Sequence, residues 1–120
     1  MKFVSIIIIV LLTMNVSFAS EGISSDSNPM QGMYTWGEGV NSVRLCGAGI
    51  TYWVSANVNI QKNLQDKHSS LTKKPYEEVY IEFQGTLLDE ELFGFAANYD
   101  GLMRIRKIIL IDKLKPGQCE

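Results

Sequence analysis

Two cysteines and one histidine are all that the 120 residues offer of the side chains that most often bind metals or attack substrates. His68 has no second His and no Cys near it in sequence, so the short-range ligand spacing that metal sites require is missing, and no metal or other cofactor is expected. Nucleophilic catalysis needs an attacking group beside an oriented base, and no such pair can be assembled from the residues present. Glu77 with Glu78 and Glu90 with Glu91 are neighbours in sequence; on extended backbone their side chains diverge, which suits solvated carboxylates better than a paired acid and base. The Gly47-Ala48-Gly49 run lacks the Lys-Ser/Thr ending of a phosphate loop and precedes a strand, so it reads as a turn. Cationic clusters are scarce too. Eleven Lys and Arg stand against thirteen Asp and Glu, a formal charge of −2, and only Arg104-Ile105-Arg106-Lys107 is dense in basic residues. Nucleic acid binding depends on clustered cations that displace counterions from phosphates, so it is not expected.

What the chain does have begins at its first residues. Met1-Lys2 precedes a short apolar run from Phe3 to Leu12 that stops at Thr13 and Asn15, well short of the roughly 20 residues that cross a bilayer. Small residues follow at Ser17 and Ala19, so residues 1–19 read as a secretory signal cleaved after Ala19, with no Cys at the cleavage point to carry a lipid. Loss of Lys2 leaves ten basic against thirteen acidic residues, and the charge of the remaining chain falls from −2 to −3. No stable membrane insertion is expected once this segment is removed. An even pair of cysteines in a small exported domain reads as a disulfide, here Cys46–Cys119. Closing a loop of that length restricts the unfolded chain by roughly 4 kcal/mol in the entropic account.

Residues 20–31 are small and polar and predict a flexible arm, leaving 32–120 as one folded domain. Met33 to Trp36, Val43 to Cys46 and Ile50 to Val54 are rich in β-formers and separated by glycine, which predicts three short strands in a meander. Between Asn57 and Leu71 the period changes. Ile60, Leu64, His68 and Leu71 recur at helical steps, and Pro75 ends the run. On that stripe His68 is expected to be structural. From Glu77 to Leu88, Val79, Ile81, Phe83, Gly85 and Leu87 alternate with polar partners, a long half-buried strand in which Gly85 marks a sharp bend. Asp100-Gly101 predicts a two-residue hairpin into a last strand, Leu102 to Ile111, whose Ile108-Ile109-Leu110-Ile111 is expected to be buried on both faces. Three strands, one helix and two long strands is the order of a five-stranded OB-like barrel, all-β with its single helix between strands three and four. Tyr34, Trp36, Tyr52 and Trp53 cluster on the first three strands. Although tryptophans in small barrels commonly complete the core, an aromatic surface with polar handles also suits a binding face, and these four are its candidates.

Gly32-Met33-Tyr34-Thr35, Val43-Arg44-Leu45-Cys46-Gly47 with Tyr52-Trp53-Val54, the strand Val79 to Gly85, and the terminal Pro116-Gly117-Gln118-Cys119 resemble the C-terminal OB domain of the NlpE family of Gram-negative envelope lipoproteins. The resemblance runs from about Gly32 to Cys119. It implies the same disulfide, Cys46 to Cys119, and a periplasmic location, with secretion as the second choice. The family's N-terminal lipocalin-like barrel, its Cys-X-X-Cys motif and its lipidated cysteine are absent from this sequence, so its copper and signalling roles are not implied. The stretch Cys46 to Val54 is also loosely similar to the opening of small periplasmic inhibitors of C-type lysozyme, although a helix at 57–71 departs from that pattern. The expectation is a non-catalytic envelope module that binds or scaffolds an envelope protein, with a lysozyme inhibitor and an oligosaccharide binder as alternatives.

Overall fold

The computed structural model describes residues 28–119; the expected signal at 1–19 and most of the expected arm lie outside them. Five strands, β1 (Met30–Gly37), β2 (Val40–Leu45), β3 (Thr51–Ala56), β4 (Glu78–Leu88) and β5 (Leu102–Lys113), close into a barrel in the order β1-β2-β3-β5-β4. One helix, α1 (Val58–Leu71), lies between β3 and β4. This is the OB-like arrangement read from the element order. Met30 and Gln31, expected in the arm, are instead the first residues of β1, because they pair with Phe83 and Glu82 of β4.

Each junction has a local cause. Gly39 turns β1 into β2 in the left-handed region, φ 70°, a conformation most side chains resist. Asn57 caps α1 by accepting a 2.9 Å hydrogen bond from the Ile60 N–H, which satisfies one of the free donors of the first turn. At the other end the Thr72 N–H and hydroxyl both donate to the His68 carbonyl, at 3.1 and 2.7 Å. The apolar stripe of α1 packs into the barrel, with Leu64 and His68 buried and Ile60 and Leu71 half-buried. His68 is satisfied there, its Nε2 lying 2.6 Å from the Glu77 carbonyl oxygen.

The core is Tyr34, Val43, Val54, Leu64, Val79, Ile81, Phe83, Met103 and Ile105. Burying aliphatic and aromatic side chains of this size stabilises by about 1.5–3 kcal/mol each. Strand β4 buries Val79, Ile81, Phe83 and Gly85 as the alternation predicts, but Leu87, expected inward, is exposed where the strand runs past the core, and Tyr80 on the other face is buried. Its pairing with β5 slips twice, between Glu82 and Phe83 and between Gln84 and Gly85, leaving Ile109 and Arg106 as the extra residues of two bulges. Bulges bend and twist a strand, and Gly85 sits at this bend. A Cβ there would lie 2.7 Å from the Arg104 carbonyl oxygen and 3.1 Å from the Met103 sulfur.

Two expectations fail near β5. Ile109 and Leu110 are 44% and 41% exposed, so the Ile108 to Ile111 run is not buried on both faces; the bulge at Ile109 breaks the alternation. Nor does Asp100-Gly101 form a tight hairpin. Residues 89–101 make a long connection containing a 3-10 helix, Gly94–Asn98, because Asp100 and Gly101 are held by β3 rather than by each other's neighbours. Cys46 and Cys119 are bonded, their Cα atoms 4.5 Å apart across 73 residues of sequence, which ties the C-terminal segment to the end of β2.

Gly85→Ala should destabilise the fold by about 2 kcal/mol, the cost of overpacking against backbone that cannot retreat, measured by urea denaturation. Replacing both cysteines by alanine should lower stability by about 2–4 kcal/mol while leaving the far-ultraviolet circular dichroism of the barrel in place; an unchanged urea midpoint would contradict this.

Candidate functional site

Tyr34 anchors the polar centre that organises one wall of the barrel. Its hydroxyl donates to Asn41 Oδ1 at 2.6 Å. Asn41 Nδ2 in turn donates to Gln61 Oε1 at 2.9 Å and to the Val54 carbonyl at 3.2 Å, and Gln61 Nε2 donates back to the Tyr34 oxygen at 3.2 Å. Three elements, β1, β2 and α1, are thereby locked to a fourth, β3. Burial pushes the Tyr34 hydroxyl far above its ordinary pKa, and the Gln61 hydrogen bond offsets only part of that rise. The cause is the cost of a phenolate in an apolar interior.

Tyr34 was one of four aromatics expected on a binding face, and it is wholly buried. It belongs to the core, since its position in β1 points it inward with Val43 and Val54. The other three are half-buried. Trp36 and Tyr52 each rest one side on the core, while Trp53 tilts against Tyr99, ring centroids 5.4 Å apart at 57°. Trp36 and Trp53, from different strands, meet along a groove of about 240 Å³ whose other walls include Val40, Asn41, Gln61 and Gln65. Tyr52 does not join them. It lines a separate cleft of about 430 Å³ with Leu88, Asp89, Glu90, Leu92 and Tyr99.

The groove of the two tryptophans contains no charged side chain. Asn41 and Gln61 spend their hydrogen bonds on Tyr34, Val54 and each other, but Gln65 and the two indole N–H groups have no protein partner among the described residues. No buried side-chain polar atom lacks a partner among the described residues, so these three donors face water. The amides were not singled out from the sequence. Gln61 and Gln65 stand four apart and so share one helix face, a signal present in the sequence but indistinguishable there from an ordinary solvated face.

The carboxylates expected to be solvated remain apart. Glu78 accepts from Arg44 at 3.0 and 3.1 Å on the outside of the barrel, with both side chains more than a third exposed, a pair that contributes little. Glu90 and Glu91 lie exposed in the β4–β5 connection. Among the described residues no three potential metal ligands converge, and no helix is long and apolar enough to cross a membrane.

In an alkaline absorbance titration Tyr34 should stay protonated after exposed phenols ionise. Because its folded pKa is raised, the stability this confers is complete below the ordinary phenol value and is lost as pH rises towards the folded one. Tyr34→Phe should leave the native titration curve unchanged and cost about 1–2 kcal/mol, the consequence of leaving Asn41 and Gln61 short of a partner. Comparison of the chain with protein-family models, curated proteins and solved structures finds no match.

Proposed function

We propose that this chain is a non-catalytic, exported binding module of the cell envelope, and that its ligand seats in the groove between Trp36 and Trp53. The observation that carries the reading is the meeting of two half-buried indoles along an uncharged groove beside the Gln65 amide, which has no protein partner among the described residues. Indole faces offer a large apolar surface, and their N–H groups offer direction. The Gln65 amide adds both a donor and an acceptor. An uncharged ligand with apolar faces and hydroxyl edges, such as an oligosaccharide of the envelope, matches that chemistry. A volume of about 240 Å³ suits a sugar ring or two rather than an extended polymer. The apolar leader from Phe3 to Leu12 and the disulfide support export. The NlpE-like pattern of residues 32–119 supports a periplasmic module that contributes by binding.

Scaffolding by the disulfide-closed barrel makes such a groove rigid, which limits the entropy lost on binding. The single histidine is hydrogen-bonded to the Glu77 carbonyl and the two cysteines are joined to each other, which favours binding over turnover.

Trp36 and Trp53 are the chain's only tryptophans, so tryptophan emission reports on this groove together with the neighbouring cleft that Trp36 shares with Lys73 and Lys74. Titration with neutral chito-oligosaccharides or peptidoglycan glycan fragments should give a saturable change in that emission. Gln65→Ala should weaken the binding about fivefold, the worth of one net hydrogen bond, with an unaltered thermal melt. Emission that does not respond to any neutral glycan, with no heat of binding by calorimetry, would refute the groove as a sugar site.

A further inference from the structure

The β4–β5 connection is far longer than a hairpin needs, and it is fixed in place. The Asp100 N–H donates to the Thr51 carbonyl at 3.0 Å, the Thr51 N–H donates to Asp100 Oδ2 at 3.2 Å, and the Trp53 N–H donates to the Gly101 carbonyl at 2.9 Å. Tyr99 rests on Trp53. Further along, the Phe95 ring lies so close to Gly39 that a Cβ there would meet it at 3.2 Å. The connection therefore folds back over β3 and the β1–β2 turn as a strap.

This anchored strap nonetheless turns its largest apolar side chains to solvent. Phe93 is 74% exposed and Phe95 67%, beside Leu87 at 49% at the end of β4. An ordered surface that leaves most of two phenylalanines in water gains little from them in the free protein beyond the Phe95 contact with Gly39, whereas each can contribute at an interface. Its charge is one-sided as well. Asp89, Glu90, Glu91 and Asp100 are all exposed, and no Lys or Arg occurs between Glu82 and Arg104. The adjoining cleft has three carboxylates, Asp89, Glu90 and Asp100, among the apolar side chains of Leu87, Leu88 and Leu92.

We infer that the strap is a docking surface for a protein partner that presents Lys or Arg side chains around an apolar one. The partner's cations meet Asp89, Glu90 and Glu91, while its apolar side chain covers Phe93 and Phe95 or enters the cleft beside Leu87. Complementary charge of this kind speeds encounter and selects the partner, and the aromatics supply the contact area. Anionic lipid and nucleic acid are repelled by the same carboxylates. The strap adjoins the tryptophan groove through Tyr99 on Trp53 and Phe95 on Gly39, but its carboxylates and Phe93 lie outside the groove's lining.

The test is selection of a phage-displayed random peptide library against the disulfide-bonded protein from residue 20 onward. Enriched peptides should combine Lys or Arg with aromatic or aliphatic residues. A synthetic copy of the best peptide should bind less tightly as salt is raised. It should lose roughly tenfold or more in affinity to the Glu90→Lys, Glu91→Lys double variant, and a similar amount to the Phe93→Ser, Phe95→Ser variant. Gln65→Ala should bind it unchanged, which separates this surface from the groove. Since all four substituted strap residues are largely exposed, the variants should keep the barrel's circular dichroism, and Phe93→Ser alone, which leaves the Phe95 contact with Gly39 in place, should also weaken peptide binding. No enrichment, enriched peptides without basic residues, or undiminished affinity for both strap variants would overturn the inference. So would a concentration-dependent dimer in sedimentation that either strap variant abolishes, because the surface would then belong to a second copy of this chain.

Discussion

Closing five short strands into a barrel requires some of them to bend sharply while their hydrogen bonds persist, and in this protein β4 and β5 carry that requirement. They pair over their full length, from Val79 with Lys113 to Leu88 with Leu102, and yield at two bulges. Gly85 lets the β5 backbone approach at the bend; any side chain there would press on the Arg104 carbonyl. The curvature carries the start of β5 to β3 and the start of β4 to β1, so that every strand has two neighbours. Barrels of this kind leave no long unpaired edge.

From that closure follow both of the surfaces that matter for function. Strands β3 and β5 pair in parallel, so β5 starts beside the middle of β3, and the chain arriving from β4 reaches it through the strap at 89–101. The strap is where the exposed phenylalanines and carboxylates collect. On the other side, α1 seals the barrel and brings Gln61 and Gln65 against β1 and β2. Gln61 is drawn into the buried network of Tyr34 and Asn41, which holds the helix in register. One turn along the same face, Gln65 is left at the lip of the tryptophan groove with its amide uncommitted. A buried, fully satisfied polar network rigidifies its surroundings, and here it forms the floor beneath a site whose upper donors remain available.

Local patterns in the chain were legible where one physical signal dominated. The alternation of Val79, Ile81, Phe83 and Gly85 and the four-residue steps of Ile60, Leu64 and His68 have no competing explanation, and these residues turn inward as read, although Leu87 at the end of the same alternation is exposed. Signals failed where tertiary contacts outweighed local propensity. Asp100-Gly101 is a strong turn pair, but the hydrogen bonds that Asp100 and Gly101 make to Thr51 and Trp53 are long-range and hold it elsewhere. Ile108 to Ile111 is uniformly apolar, and a bulge that depends on β4 decides which of those side chains are covered. The four aromatics near the start of the domain could not be sorted from sequence, since a Tyr or Trp serves equally well in a core or at a surface.

The sequence by itself determined the elements, their order, the covalent bridge and the scarcity of catalytic side chains, because these depend on residue type and on spacing along the chain. It determined too that the segment from Asp89 to Asp100 would be acidic and carry aromatics. Only the tertiary structure decided that Tyr34 lies inside, that Trp36 and Trp53 share a groove with Gln65, and that Phe93 and Phe95 stay in water on an anchored strap. Those outcomes depend on which strands become neighbours when the barrel closes, a choice made by long-range pairing and packing that no local stretch of residues encodes.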